Sequence, residues 1–231
     1  MPGYILLAGG AEFGGKMAEA DQQGLRLAGG YTAAVRIIPA AAAPDHNDKR
    51  AGQNGVRWFT SLGAQNVASL PVIDRESADD PILAGELQSA GLIYLLGGFP
   101  GHLNRTLADS LSFQAILSAY QRGAVIAGSS AGAMVLCEYF YDPYEKQVSA
   151  GLNLAAGVCV LPHYRSFGKD WAVKLSPLHP GAALAGIDEG TAMIDCAEER
   201  RWMVFGAGEV TLHRAASVKV YIPGQSFSLY E

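Results

Sequence analysis

The chain has 231 residues, 49% of them hydrophobic, with 17 Lys plus Arg against 22 Asp plus Glu for a net charge of −5. That length buries a substantial core in one domain, residues 1–231, and the acidic balance offers no electrostatic reason to bind nucleic acid or an anionic membrane. The expected substrate is therefore a small molecule or a peptide.

The opening Met1-Pro2-Gly3-Tyr4 carries no basic start, and the apolar run Ile5–Ala8 is too short for a signal peptide or a membrane span. A soluble cytoplasmic protein is expected. Apolar runs that end in Gly or Pro and lead into helix-period stretches then repeat, which is the pattern of βα units around a parallel sheet. They predict strands at Tyr4–Ala8, Val35–Ile38, Val67–Leu70, Leu92–Leu96 and Val125–Ala127. The Ala run of Pro39–Pro44 reads as an ordinary connection. One long helix is predicted over His102–Arg122, with Leu103, Leu107, Leu111, Ile116, Leu117 and Tyr120 at helical spacing and Gly123 as its stop. Beyond about residue 140, shorter runs at Val158–Leu161, Thr191–Asp195, Trp202–Phe205, Val210–His213 and Val218–Ile222 predict antiparallel closure of the sheet. The fold class is thus α/β with a mostly parallel central sheet. Cys137, Cys159 and Cys196 lack metal-type spacing and read as reduced core residues.

Gly128-Ser129-Ser130-Ala131-Gly132 matches G-x-S-x-G between a buried strand and a helix-capable segment. A nucleophile at that turn sits in a strained backbone, so its flanks must lack bulk, and Gly128 and Gly132 meet that need. The oxyanion that forms when Ser130 attacks a carbonyl needs two backbone N–H groups. Ala131 supplies one; Gly98, in Gly97-Gly98-Phe99-Pro100-Gly101, supplies the other, with Gly97 close behind, because loops at the carboxyl ends of neighbouring parallel strands share one crevice.

A serine nucleophile also needs a histidine base oriented by a carboxylate. His163 follows a predicted strand and lies downstream of the serine, so spacing favours it over His102, which sits on the glycine loop. His46, His179 and His213 read as surface residues. For the acid, Asp188 and Glu189 share a turn before the strand at Thr191, ahead of Glu138 and Asp142. Gly9-Gly10-Ala11-Glu12-Phe13-Gly14-Gly15 departs from the G-x-G-x-x-G spacing of a dinucleotide site. No pattern supports a metal ligand set, and no cofactor is expected.

Taken in order, Ile5–Gly10, Leu95-Leu96-Gly97-Gly98, Gly128–Ala133, Pro162-His163-Tyr164 and Gly186–Ala192 resemble the dipeptidase E and cyanophycinase family of serine peptidases. That resemblance implies a three-layer fold of the class I glutamine amidotransferase-like, flavodoxin-like type, with serine in place of the cysteine nucleophile. It implies Ser130 as nucleophile, His163 as base, Glu189 rather than Asp188 as acid, and Gly98 and Ala131 as oxyanion donors. The implied activity is hydrolysis of small peptides, the implied partner a peptide or small amide, and a homodimer is the assembly allowed for. An esterase or amidase with the same triad, or a non-catalytic binding protein on this fold, are the alternatives.

Cyanophycinases typically carry an Asp shortly before the histidine and a run of arginines after it, whereas here Leu161-Pro162 precede His163 and Arg165 alone follows closely. Phe99-Pro100 also stand where the family has polar residues, so a different specificity pocket is implied. An aspartyl preference like that of dipeptidase E needs a cation for the substrate carboxylate, for which Arg165 and Arg105 are the candidates and Phe99 a further substrate-contacting residue.

Overall fold

A computed structural model describes residues 2–175, 182–196, 201–214 and 217–229. His179 and the Cys196 side chain lie outside the described residues. The first half alternates strands β1 (Tyr4–Ala8), β2 (Ala34–Ile38), β3 (Asn66–Ser69), β4 (Leu92–Leu95) and β5 (Val125–Ser129) with helices. The helices are α1 (Ala18–Leu27), α2 (Asp48–Ser61), α3 (Arg75–Ala78), α4 (Pro81–Gln88), α5 (Pro100–Leu107) and α6 (Leu111–Gln121). A short α7 (Ala131–Leu136) leads to the hairpin β6 (Tyr139–Asp142) and β7 (Gln147–Ala150). Then come β8 (Val158–Leu161), a π-helical turn at Tyr164–Gly168, α8 (Lys169–Leu175), β9 (Ala183–Ile187) and β10 (Thr191–Cys196). The chain closes with β11 (Arg201–Gly206), β12 (Val210–Arg214), β13 (Ser217–Tyr221) and β14 (Ser226–Ser228).

The eight-stranded main sheet runs β14-β11-β10-β1-β5-β4-β2-β3. Its β1, β5, β4, β2 and β3 are parallel. Central β4 and β5 are buried at every position, as an apolar strand covered by helices on both faces must be. One face packs Leu6, Ile37, Phe59, Tyr94 and Leu96 under α1 and α2, and the other packs Ile5, Ile93, Leu103, Ile116 and Ile126 under α4 to α6. Among the described residues no helix is long and apolar enough to cross a membrane.

Two expectations change. The single helix predicted over His102–Arg122 is two helices, because Asp109 takes φ 59° and Ser110 accepts the Phe113 N–H at 3.0 Å as an N-cap. A Ser side chain that satisfies an orphan N–H restarts a helix more cheaply than it continues one, while the apolar spacing runs across the break unaltered. The later strands do not all close one sheet. β10, β11 and β14 extend the main sheet antiparallel to β1, but β8, β9, β12 and β13 form a second, four-stranded sheet in which β8 and β9 are parallel. β9, in the Ala-rich Ala-Leu-Ala-Gly-Ile, has few β-branched residues and draws its strand character from pairing with β8 and β12.

The Ala run after β2 is more than a connection. Ala40–Ala42 form a buried 3-10 turn, and the Ala41 carbonyl accepts the Phe99 N–H at 2.8 Å, which props the glycine loop after β4. Cys137 and Cys159 are buried, and burial pushes the Cys159 thiol up to about 12, so both behave as core apolar groups.

Candidate active site

β5 ends at Ser129, and Ser130 occupies φ 50°, ψ −112° before α7 begins at Ala131. That conformation costs on the order of 1–3 kcal/mol and persists only where the surroundings hold it. They do so by close approach: a Cβ on Gly128 would stand 2.4 Å from the Gly132 carbonyl carbon, and one on Gly132 would stand 2.2 Å from the Leu95 oxygen. The turn therefore lifts Ser130 at the carboxyl end of the sheet with a small residue on each side.

The end of β1 sets the remaining geometry. Three successive carbonyls, those of Ala8, Gly9 and Gly10, accept the N–H groups of Ser130 at 3.0 Å, His163 at 2.7 Å and Gly190 at 3.0 Å. One short strand end thus fixes three loops that lie far apart in sequence. With the loops so placed, the Ser130 hydroxyl donates to His163 Nε2 at 3.0 Å, and His163 Nδ1 lies 2.6 Å from Glu189 Oε1. Because a carboxylate brings no proton, Nδ1 carries the imidazole hydrogen and Nε2 is left to accept from serine. His163 itself holds a left-handed backbone, φ 47°, ψ 43°, at the head of the π-helical turn.

The competing residues are engaged elsewhere. His102 Nε2 is 2.7 Å from the Ile73 carbonyl, just ahead of α3. His46 is exposed, but His213 is not a simple surface residue: it is half-buried, with Nε2 2.6 Å from the Tyr164 hydroxyl. Asp188 accepts from the Glu209 N–H and pairs with Arg165; Glu138 accepts the Gly157 N–H; Asp142 accepts from Tyr144 and Glu145. Of these acids only Glu189 meets the imidazole.

The glycine loop lies beside Ser130. A Cβ on Gly97 would stand 3.3 Å from the Ser130 Cβ, and Gly98 takes φ 139°, open to glycine, with its α-carbon against the Ala41 carbonyl. Among the described residues, neither the Gly98 nor the Ala131 N–H is spent on a turn, loop or cap hydrogen bond. Phe99 stacks on Tyr144 with ring centroids 4.3 Å apart. The two cations expected for substrate are already neutralised within the chain. Arg165 pairs with Asp188 and Glu209, each at 2.8 Å, and Arg105 with Glu145 at 2.7 Å. Arg165 instead straps the His163 turn to the loop that carries Glu189.

Behind the serine lies an acid cluster that sequence reading passed over. Glu12 Oε2 accepts the Ser129 hydroxyl at 2.8 Å, and the fully buried Asp21 accepts the Trp58 indole N–H at 2.7 Å through Oδ2 while Oδ1 has no partner. Burial, with the nearby Glu12 charge, raises the Asp21 carboxyl from 3.8 to about 7. The folded value lies above the unfolded one, so the stability Asp21 contributes is complete below pH 3.8 and is lost as pH rises through about 7. The loss is on the order of 4 kcal/mol. Asp195, which burial raises to about 6, adds a loss of the same sign over a narrower window. Asp21→Asn keeps an acceptor for Trp58 and is expected to flatten the larger part of this decline in urea unfolding measured from pH 4 to 8. A decline as steep as the wild type's would show that Asp21 is ionised in the fold.

The model of peptidase family S51 matches residues 5–201. The chain is 27% identical over 220 residues to a cyanophycinase of Trichormus variabilis, covering 90% of this chain and 72% of the relative. To a cyanophycinase of Geminocystis herdmanii it is 29% identical, covering 90% and 79%. The crystal structure of a peptidase from an acI-B1 Actinobacterium superposes with a TM-score of 0.89 at 30% identity, covering 99% of this chain and 97% of that one.

Proposed function

The chain belongs to peptidase family S51, and from that premise we propose that it is a serine-type peptidase that hydrolyses small peptides through an acyl-enzyme on Ser130. The observation that carries the proposal is the unbroken relay from the Ser130 hydroxyl to His163 Nε2 at 3.0 Å and from Nδ1 to Glu189 at 2.6 Å. In the proposed reaction Ser130 Oγ attacks the scissile carbonyl as His163 takes its proton, and Glu189 stabilises the imidazolium that results. The N–H groups of Gly98 and Ala131 receive the oxyanion, each worth about 10²–10³ in rate by analogy with other acyl-transfer sites. His163 then passes its proton to the leaving amine, and water releases the acyl group by the same steps in reverse. The stacked Phe99 and Tyr144 serve as an apolar wall of the substrate cleft, and Arg165 acts by positioning the His163 and Glu189 loops.

An activated serine is labelled covalently by a fluorophosphonate probe. The wild-type protein is expected to take up one equivalent, and Ser130→Ala none, with equal melting temperatures. Labelling that survives in Ser130→Ala would place the nucleophile elsewhere. Turnover of dipeptides above that of simple esters separates a peptidase from an esterase on the same triad.

A further inference from the structure

The π-helical turn that follows His163 also builds a surface beside the imidazole. Three successive N–H groups, those of Ser166, Phe167 and Gly168, converge on the His163 carbonyl at 2.8, 3.1 and 3.4 Å. The last of these bonds is one residue wider than an α-helical bond, a distortion found frequently at functional sites. Its tightness is enforced at Gly168, where a Cβ would stand 2.5 Å from the Pro162 oxygen. Phe167 is thereby folded back on the histidine, with ring centroids 5.0 Å apart and planes at 33°.

That ring does not fill the core, since Phe167 is 42% exposed. Behind it the aromatic row continues through Trp171, one helical turn on at 5.1 Å, to Tyr141 of β6 at a further 5.0 Å. Trp171 and Tyr141 pack with Cys159, Leu161 and Leu184 in the small core under α8, so the row is anchored at its far end. Backed at one end and open at the end beside the base, it offers apolar area that a ligand gains by covering.

Its place relative to the reaction decides which half of the substrate it meets. Glu189 holds Nδ1, Gly10 stands against Cε1, and Nε2 faces Ser130. In acyl transfer the base gives its proton to the departing amine, so that nitrogen comes within about 3 Å of Nε2. The acyl half lies across the scissile bond, toward the oxyanion donors of the glycine loop that leads into Phe99. The side chain that comes against Phe167 is therefore that of the departing residue.

We propose that Phe167, backed by Trp171, is the specificity surface for an apolar side chain, aromatic or branched, on the residue that follows the scissile bond. The proposal rests on the reading of Ser130 as nucleophile and His163 as base, and adds to it the chemistry of the leaving half.

Four sets of dipeptides, Xaa-Phe, Xaa-Leu, Xaa-Ser and Xaa-Gly, alike in their range of Xaa, test it through the amino acid released. In the wild type kcat/KM on the Phe and Leu sets is expected to exceed that on the Gly set by about tenfold or more, the discrimination an apolar contact supplies. Phe167→Ala is expected to bring the four sets level, and Phe167→Leu to keep the preference. A displaced imidazole lowers all four rates together and leaves their ratios unchanged, which separates a specificity surface from a merely structural ring. Stronger protection of Ser130 from a fluorophosphonate by phenylalanine amide than by glycine amide reads the same surface, and decides the matter should no set be turned over. Equal turnover with equal protection in the wild type, or a preference that survives Phe167→Ala, would overturn the surface. A wild-type protein that takes up no fluorophosphonate would instead overturn Ser130 as the nucleophile.

Discussion

Replacing His163 with alanine is expected to lower kcat for peptide hydrolysis by about four orders of magnitude, with KM near that of the wild type. His163 Nε2 is the acceptor for the Ser130 hydroxyl, so its removal leaves an unactivated alcohol facing the scissile carbonyl. What remains is binding and the two proposed oxyanion donors; in other serine hydrolases such groups retain about 10³–10⁴ over the uncatalysed reaction. The imidazole is 21% exposed and its ring lies 5.0 Å from that of Phe167, so truncation also removes packing, and the kinetic effect has to be separated from unfolding by measurement. Steady-state rates with a thermal melt on the same preparation provide the check. A loss of less than tenfold would show that another group takes the serine proton.

Gly10→Ala is expected to lower kcat by about 10²–10³ although residue 10 takes no part in the chemistry. A Cβ there would stand 2.2 Å from His163 Cε1 and 2.7 Å from Nε2, at φ 121°. The imidazole must move, and a base displaced by about 1 Å from its nucleophile loses roughly two orders of magnitude. The left-handed backbone adds a destabilisation of about 1–2 kcal/mol. The diagnostic pattern is a large fall in kcat and in the rate of fluorophosphonate labelling with only a modest fall in melting temperature. Activity within threefold of wild type would show that the Gly10 contact does not position His163.

These two residues also mark where sequence reading stops. Gly128–Gly132 is legible because the strain at Ser130 is local: the residues that relieve it must lie within two positions of it. Gly10 is equally constrained, but the atom that forbids a side chain belongs to His163, 153 positions away. A glycine followed by Ala11 and Glu12 therefore reads only as a turn after a strand. Similarly, Asn-x-x-Arg at residues 47–50 recurs at 54–57 without having been singled out in the sequence, and nothing local says that this helix face lines a cavity. Arg165 and Arg105 attracted attention through nearness in sequence to His163 and the glycine loop, and the fold gives both to carboxylates of the chain itself.

By itself the sequence determined the elements whose causes are local: β1 at Tyr4–Ala8, the buried β4 and β5, the glycine-flanked serine turn, and the family to which their order corresponds. Those follow from apolar spacing, missing side chains and backbone strain, which act over a few residues. Only the tertiary structure decided that Glu189 meets His163 while Asp188 serves Arg165, that β8 and β9 leave the main sheet, and that the α2 face with Arg50 and Arg57 lines one cavity with Gly97. Adjacent carboxylates and like arginines are chemically alike along the chain. They become different when the Ala8, Gly9 and Gly10 carbonyls bind the loops of Ser130, His163 and Glu189 in one register, which gives each side chain a direction that no local pattern contains.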